Sequence, residues 1–280
     1  MTRPVIYLNG TILPPEQARI DPFDRGFSLG DGLFETLRAY DGRPFRLADH
    51  LERMSTAAAA LEIPLPVDMP AVAEAVTELL SANGHQQGDA SIRITLSRGI
   101  GPRGFAPPAD PRPTLMIATA PYAPPPAACA AVTVDIRRNE GSPQSRMKTL
   151  GALDNILATQ AAARRGAEEA ILANSVGFVA CGARANIFVL MDGRLITPPL
   201  RDGVLPGIAR RVVLEIAEAW RLLPEETSLR LDDLARAQEV LLTNSLFEVR
   251  SVGRLDGREL AARALGDRLR AEYAQMARLA

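Results

Sequence analysis

The chain has 280 residues, 47% hydrophobic and 23% charged, with a formal net charge of −1. That length can bury a large core in two domains or one large one, and the composition is ordinary for a soluble globular protein. A charge balance so close to zero offers no single-sign field to recruit nucleic acid or a membrane surface.

In chain order, VIYLNG and TILP read as a hairpin turning at Asn9-Gly10. LFETLRAY and RPFRL form a second hairpin about Asp41-Gly42. ADHLERMSTAAAALEI has helical spacing, with Leu51, Met54, Ala58 and Leu61 on one stripe. MPAVAEAVTELLSANG is a second helix, closed by Asn83-Gly84. ASIRITLSRG and PTLMIATA are strands. The stiff segment PYAPPPAA, residues 121–128, is a linker between a domain at 1–120 and another at 129–280. Beyond it AVTVDIRRN is a strand and LDNILATQAAARRG a helix. EAILAN, GFVACG, NIFVLMDGRLIT and EVLLTN are further strands; PGIARRVVLEIAEAW and AARALGDRLRAEYAQMARLA are helices. The elements mix without strict βαβ alternation, so a mixed α/β fold is expected.

Cys129 and Cys181 form no CxxC pair and suggest no disulfide framework. His50 and His85 lie far apart, which argues against a metal site. MTRPVIYLNG lacks the apolar run of a signal peptide and no stretch approaches a membrane span, so a cytoplasmic setting is expected. GIGPRG, residues 99–104, matches G-x-G-x-x-G after a strand. A dinucleotide site also needs a helix to begin there, and FAPPADPRP cannot supply one.

Lys148, in SRMKTLGALDN, is the single lysine among 32 lysine and arginine residues. Arginine-biased composition could leave one lysine by accident. A guanidinium stays charged in proteins, however, whereas a desolvated amine can lose its proton and attack a carbonyl. A lysine kept for that purpose implies a carbonyl cofactor or substrate, pyridoxal phosphate being the commonest. In VLPGIARRVV, Pro206-Gly207 precede a helix whose first amides, those of Ile208 and Ala209, suit a phosphate.

Four stretches carry a more specific signal: DRGFSLGDGLFETLRAYDGRPFRLADHLERM, RMKTLGALDNILA, NIFVLMDGRLITPPLRDGVLPGIARR and LLTNSL. In order, they resemble the motifs of the class IV, fold-type IV, pyridoxal-phosphate aminotransferases, a group that includes branched-chain and D-amino-acid aminotransferases and aminodeoxychorismate lyase. The resemblance runs from Tyr7 to Val252. It implies a smaller N-terminal α/β domain, a larger C-terminal domain with a pseudo-barrel of strands, and a homodimer.

By that resemblance Lys148 is the Schiff-base lysine and Arg53 the phosphate-binding arginine. Ile208, Ala209 and Ser245 complete the phosphate cup, with Ala209 standing where the family often has threonine. Asn186 matches a motif asparagine that supports local backbone. Phe34, Thr36 and Arg38 alternate on one strand and so share a face, which the resemblance turns toward cofactor and substrate. SRGIGPRGF resembles a loop that brings an arginine to the substrate carboxylate; Arg103 is the first candidate and Arg98 the second.

One position departs from the pattern. Five residues before Asn186 the family has a glutamate that hydrogen-bonds the pyridine nitrogen; here Cys181 stands there, with no acid from Asn174 to Leu190. A neutral thiol cannot hold a pyridinium. The expected reaction is transfer of an amino group from a small amino acid, of D- or branched-chain type, to a 2-oxo acid. The alternatives are release of 4-aminobenzoate and pyruvate from 4-amino-4-deoxychorismate, and cofactor binding with weakened or lost activity.

Overall fold

A computed structural model describes residues 4–279. Met1–Arg3, which open the amino-terminal stretch read above, and Ala280, which ends the last expected helix, lie outside the described residues. The chain forms two compact units. One comprises the residues up to Ala123 together with Lys148–Gly151; the other comprises Pro124–Met147 and Ala152–Leu279.

In the first unit, β1 (Ile6–Leu8), β2 (Thr11–Leu13), β3 (Gly32–Tyr40), β4 (Arg43–Pro44), β5 (Asp89–Ser97) and β6 (Thr114–Pro121) make one sheet. Its order is β2-β1-β6-β5-β3-β4. Asn9 and Gly10 turn the first hairpin with φ of 48° and 95°, the left-handed pair a two-residue turn requires. Helices α1 (Arg25–Leu29), α2 (Leu47–Ala60) and α3 (Met69–Ala82) complete the unit. Leu51, Met54 and Ala58 of α2 are buried with Leu33 and Leu37 of β3 and Ile92, Ile94 and Leu96 of β5.

The strand expected over RPFRL stops at Pro44. Arg46 takes φ of 55° as the cap of α2, which breaks the extended run and starts the helix early. Helix α1 was not expected; Asp24 caps it by accepting from the Gly26 amide.

The second unit is built on β7 (Ala128–Arg138), β8 (Glu169–Asn174), β9 (Val179–Gly182), β10 (Asn186–Met191), β11 (Arg194–Thr197), β12 (Glu225–Glu226), β13 (Glu239–Asn244), β14 (Glu248–Leu255) and β15 (Arg258–Glu259). The sheet runs β12-β11-β10-β13-β14-β7-β8-β9, with β15 beside β14. Around it are α4 (Leu153–Arg164), α5 (Ile208–Ala219) and α6 (Ala264–Leu279). Ile171, Val179, Ile187, Val189, Val240 and Leu242 form the centre of its apolar core.

Candidate active site

Strand pairing places the lysine. Leu33 bridges Thr149, the Phe34 amide donates to the Lys148 carbonyl at 2.9 Å, and the Leu150 amide donates to the Gly32 carbonyl at 2.9 Å. Lys148 thus stands opposite Phe34 and shares its face of the sheet. Gly32 leaves room for that segment, since a Cβ there would lie 2.8 Å from Leu150 Cδ1 and 2.4 Å from the Leu96 carbonyl oxygen of β5. Arg93 on β5 pairs directly with Thr36 and joins the same face. Lys148 Nζ lies 4.3 Å from the centre of the Phe34 ring, and the Arg93 guanidinium carbon lies 4.0 Å from it.

Burial brings the Lys148 ammonium down from 10.5 to about 8; Glu35 opposes the fall, and the cations Arg53 and Arg93 add to it. An amine so placed still carries its proton for the most part at neutral pH, but its neutral fraction is far larger than that of an ordinary lysine.

Glu35, alternating with Phe34 and Thr36, meets α2 instead. Its carboxylate accepts from Arg53 Nε at 2.8 Å and Nη2 at 2.6 Å, and from His50 Nδ1 at 2.7 Å. Burial alone would raise its pKa, but His50 and Arg53 outweigh that and hold it at about 2. Burial also keeps His50 below its ordinary value, which leaves a neutral ring with Nδ1–H as the donor. Arg53 is therefore fixed through two nitrogens on an ionised carboxylate.

Two residues expected at the substrate are committed elsewhere. Arg38 is only 4% exposed. It pairs with Asp89 and lies 4.5 Å from the Tyr40 ring centre and 5.1 Å from that of Tyr122. Arg98 donates to Asp31 and to the carbonyls of Leu61 and Glu62 at the end of α2. Both are internal ties, so neither is kept as a substrate contact. Arg103 is exposed on the loop between β5 and β6. Arg93 is not signalled by the sequence; its alternation along β5 is visible there, but its pairing with Thr36 is not.

In the second unit, Asn186 at the start of β10 donates to the Leu205 carbonyl at 2.9 Å. A Cβ on Gly207 would fall 2.0 Å from Asn186 Oδ1, so any larger residue before α5 must displace that side chain. Ile208 and Ala209, both buried, open that helix. Ser245 directly follows β13, in a turn where Asn244 Oδ1 accepts from the amides of Leu246 and Phe247.

Cys181 is buried on β9, and burial pushes its thiol up to about 11, with Arg138 opposing and Glu169 adding. It is neutral at any working pH. A buried acid does lie on the neighbouring strand, Glu169, engaged with the amides of Ala170, Ala183 and Arg184. The register pairs Cys181 with Leu172 and Gly182 with Ile171. Alternation therefore turns Glu169 to the Gly182 face, away from the thiol. Among the described residues no group of three or more His, Cys, Asp or Glu could hold a metal ion.

A buried amine with lowered pKa, with the cations Arg53 and Arg93 acting on it, is chemically suited to react with a carbonyl group. The family model for amino-transferase class IV matches residues 32–255. The chain belongs to that family. It is 35% identical over 267 residues to a putative branched-chain-amino-acid aminotransferase of Methanocaldococcus jannaschii, covering 94% of this chain and 91% of the relative. It is 32% identical to the aminodeoxychorismate lyase of Bacillus subtilis, over 88% and 84% of the two chains, and 30% identical to the D-alanine aminotransferase of Staphylococcus haemolyticus, over 93% and 92%. Among solved structures, it is similar to the branched-chain aminotransferase of Thermoproteus uzoniensis with norvaline, at a TM-score of 0.92, 29% identity and coverage of 98% and 94%. It is also similar to the T.th. branched-chain amino acid aminotransferase complexed with N-(5'-phosphopyridoxyl)-L-glutamate, at 0.91, 26%, and 99% and 95%.

Proposed function

We propose that this chain transfers the amino group of a small D- or branched-chain amino acid to a 2-oxo acid, using pyridoxal phosphate held covalently by Lys148. The observation that carries the reading is the Lys148 amine, lowered to about 8 on the Phe34 face and within reach of the charges of Arg53 and Arg93.

The residues suit the cofactor. It needs a reactive amine, a cation for its phosphate, and backbone donors. Lys148 and Arg53 provide the first two. The family resemblance assigns the third to the first amides of α5, with Ser245 as a hydroxyl donor, and a helix N-terminus of this kind suits a phosphate. Asn186 holds the segment leading to those amides. When bound, the cofactor supplies a carbonyl and an electron-withdrawing ring. Lys148 Nζ would hold the cofactor covalently at that carbonyl and, when freed from it, would be the base that moves a proton at the substrate α-carbon. Phe34 and Thr36 line the same face. Arg93 and Arg103 are the cations for substrate carboxylate.

Cys181 stands at the family's pyridine-nitrogen glutamate. Its neutral thiol leaves the ring a weaker electron sink, which favours one second reading. Elimination of pyruvate from 4-amino-4-deoxychorismate is drawn forward by aromatisation of the product. Weakened or lost activity is the remaining outcome.

A second copy of this chain is the proposed partner, because Phe23, Phe27 and Phe105 of the first unit and Leu153 and Ile156 of the second are exposed at 52–90%. The two cysteines are free and buried, as suits a cytoplasmic setting. No helix among the described residues is long and apolar enough to cross a membrane.

The test is a spectrum of the purified yellow protein, borohydride trapping with mapping of the modified residue, and addition of D- and L-amino acids. Bleaching to the pyridoxamine form marks the transferase. Release of 4-aminobenzoate and pyruvate marks the lyase. A trapped adduct with neither response leaves a binding protein, and absence of an adduct at Lys148 refutes the reading altogether.

A further inference from the structure

We infer that Arg25 is a positioning residue that fixes the loop carrying Arg103 and so sets the affinity for carboxylate substrates. The link to affinity rests on the reading of Arg103 given above.

Arg25 opens α1 and is only 4% exposed. Its Nε donates to Asp31 Oδ2 at 2.8 Å. Nη1 donates to the carbonyls of Gly104 at 3.0 Å and Ala106 at 3.2 Å, and Nη2 to that of Phe105 at 3.1 Å. One guanidinium therefore gathers three consecutive carbonyls. Asp31 is held in turn by Arg98, which ties it to the last turn of α2.

The loop backbone is shaped to receive this side chain. A Cβ on Gly101 would lie 2.5 Å from Arg25 Cδ. The Arg25 amide donates to the Gly99 carbonyl at 2.9 Å, and Asp24 bridges Ile100. The loop is thus pinned at its start by the backbone of residues 24 and 25, and at 104–106 by one arginine. Arg103 lies between these anchors. Arg103 is exposed, and Phe105 is 90% exposed, so apolar packing of these side chains within the chain does not hold the tip. Arg25 supplies the order that a loop core would supply elsewhere. Lysine cannot replace it, because an ammonium lacks the planar fork that reaches several acceptors at once.

The experiment compares holoenzyme with Arg25→Lys, Arg25→Gln and Gly101→Ala variants by hydrogen exchange and steady-state kinetics. D-Alanine or L-leucine serves as donor, whichever the wild type uses. All three variants should speed exchange of the 100–106 amides by about tenfold or more. KM for the donor should rise about tenfold with kcat within about twofold. Arg25→Lys keeps a charge for Asp31 and should still behave like Arg25→Gln. Gly101→Ala leaves every polar group in place and should reproduce the effect by displacing the arginine stem. In an Arg103→Ala background, Arg25→Lys should add no further rise in KM.

Wild-type exchange in the loop overturns the inference. So does a fall in kcat with KM unchanged, or full rescue by lysine. If Arg103→Ala alone leaves KM unaltered, the carboxylate role of Arg103 is what fails. Loop exchange then still decides whether Arg25 is the clamp.

Discussion

The Phe34 amide and the Lys148 carbonyl share a hydrogen bond of 2.9 Å, and the same pairing sets the Lys148 amine 4.3 Å from the Phe34 ring. The Lys148 amine is thus placed by a strand register. That register keeps it out of water, and desolvation lowers its pKa.

Uptake of pyridoxal phosphate by apoenzyme should quicken as pH rises through about 8, where the Lys148 ammonium loses its proton. An ordinary lysine would show its midpoint near 10.5. The check is the rate of absorbance change on mixing, followed across pH. A midpoint close to that ordinary value would mean the amine is not desolvated in solution.

The same burial costs stability. The fall from 10.5 to about 8 corresponds to about 3 kcal/mol against the folded apoprotein. Below about 8 both folded and unfolded chains carry the proton, and the penalty is complete. Between there and 10.5 the unfolded chain binds more protons, so stability rises with pH. Lys148→Met apoprotein should therefore be more stable than wild type at neutral pH, by up to about 3 kcal/mol, with the advantage shrinking above about pH 8. Urea titrations at several pH values measure this. Lys148→Arg should fold and show no turnover.

Glu35→Gln should act twice. Breaking its pairing with Arg53 leaves a buried cation with a weaker partner, at a cost of about 3 kcal/mol in stability. Cofactor affinity should fall with it, since Arg53 is no longer held. Removing the carboxylate also removes the group that raises the Lys148 pKa. The uptake midpoint should consequently move below that of wild type. An unchanged midpoint would place Glu35 outside the electrostatics of the lysine.

Gly207→Ala puts a methyl group 2.0 Å from Asn186 Oδ1. Asn186 must turn away and release the Leu205 carbonyl, at a cost of about 1–3 kcal/mol. Cofactor affinity should drop because the first amides of α5 shift. Combined with Asn186→Ala, the two losses should not add, as both act on one contact. Additive losses in melting experiments would show two separate contacts.

Cys181→Glu tests the departure from the family pattern. A carboxylate there favours a protonated ring through a charge-assisted bond. Half-reactions with amino donors should then quicken, while overcrowding costs the apoprotein about 1–3 kcal/mol. A folded, cofactor-loaded variant with slower or unchanged half-reactions would mean the site is built around a neutral pyridine. The lyase reading would then gain ground.

Local chemistry made part of this site legible. One lysine in an arginine-rich chain, a Pro-Gly before a helix, and alternation of Phe34 and Thr36 each point to a role without any tertiary contact. Arg38 and Arg98 could not be read that way. Arg98 finds Asp31 at a separation of 67 residues, and Arg38 meets Asp89 and Tyr122, groups brought to it only by the sheet. Arg93 acquires its meaning from a register with Thr36 that no periodicity specifies. In the fold, the Asn9-Gly10 hairpin was plain from its turn residues. Strand β14 was missed because Glu248 and Arg250 are buried charges in a run that reads as polar surface.

The lysine segment has a consequence for how the chain is made. Lys148–Gly151 packs with the first unit, although residues 124–147 belong to the second. Synthesis from the amino terminus therefore delivers β1 to β6 well before the segment that covers the edge of β3. Until residue 151 has left the ribosome, the amide of Phe34 and the carbonyl of Gly32 lack their native partners, and that edge can pair with another chain. A fragment cut at residue 123 would keep this open edge permanently. It would lack the lysine and invite aggregation, although the six strands of its sheet are all present.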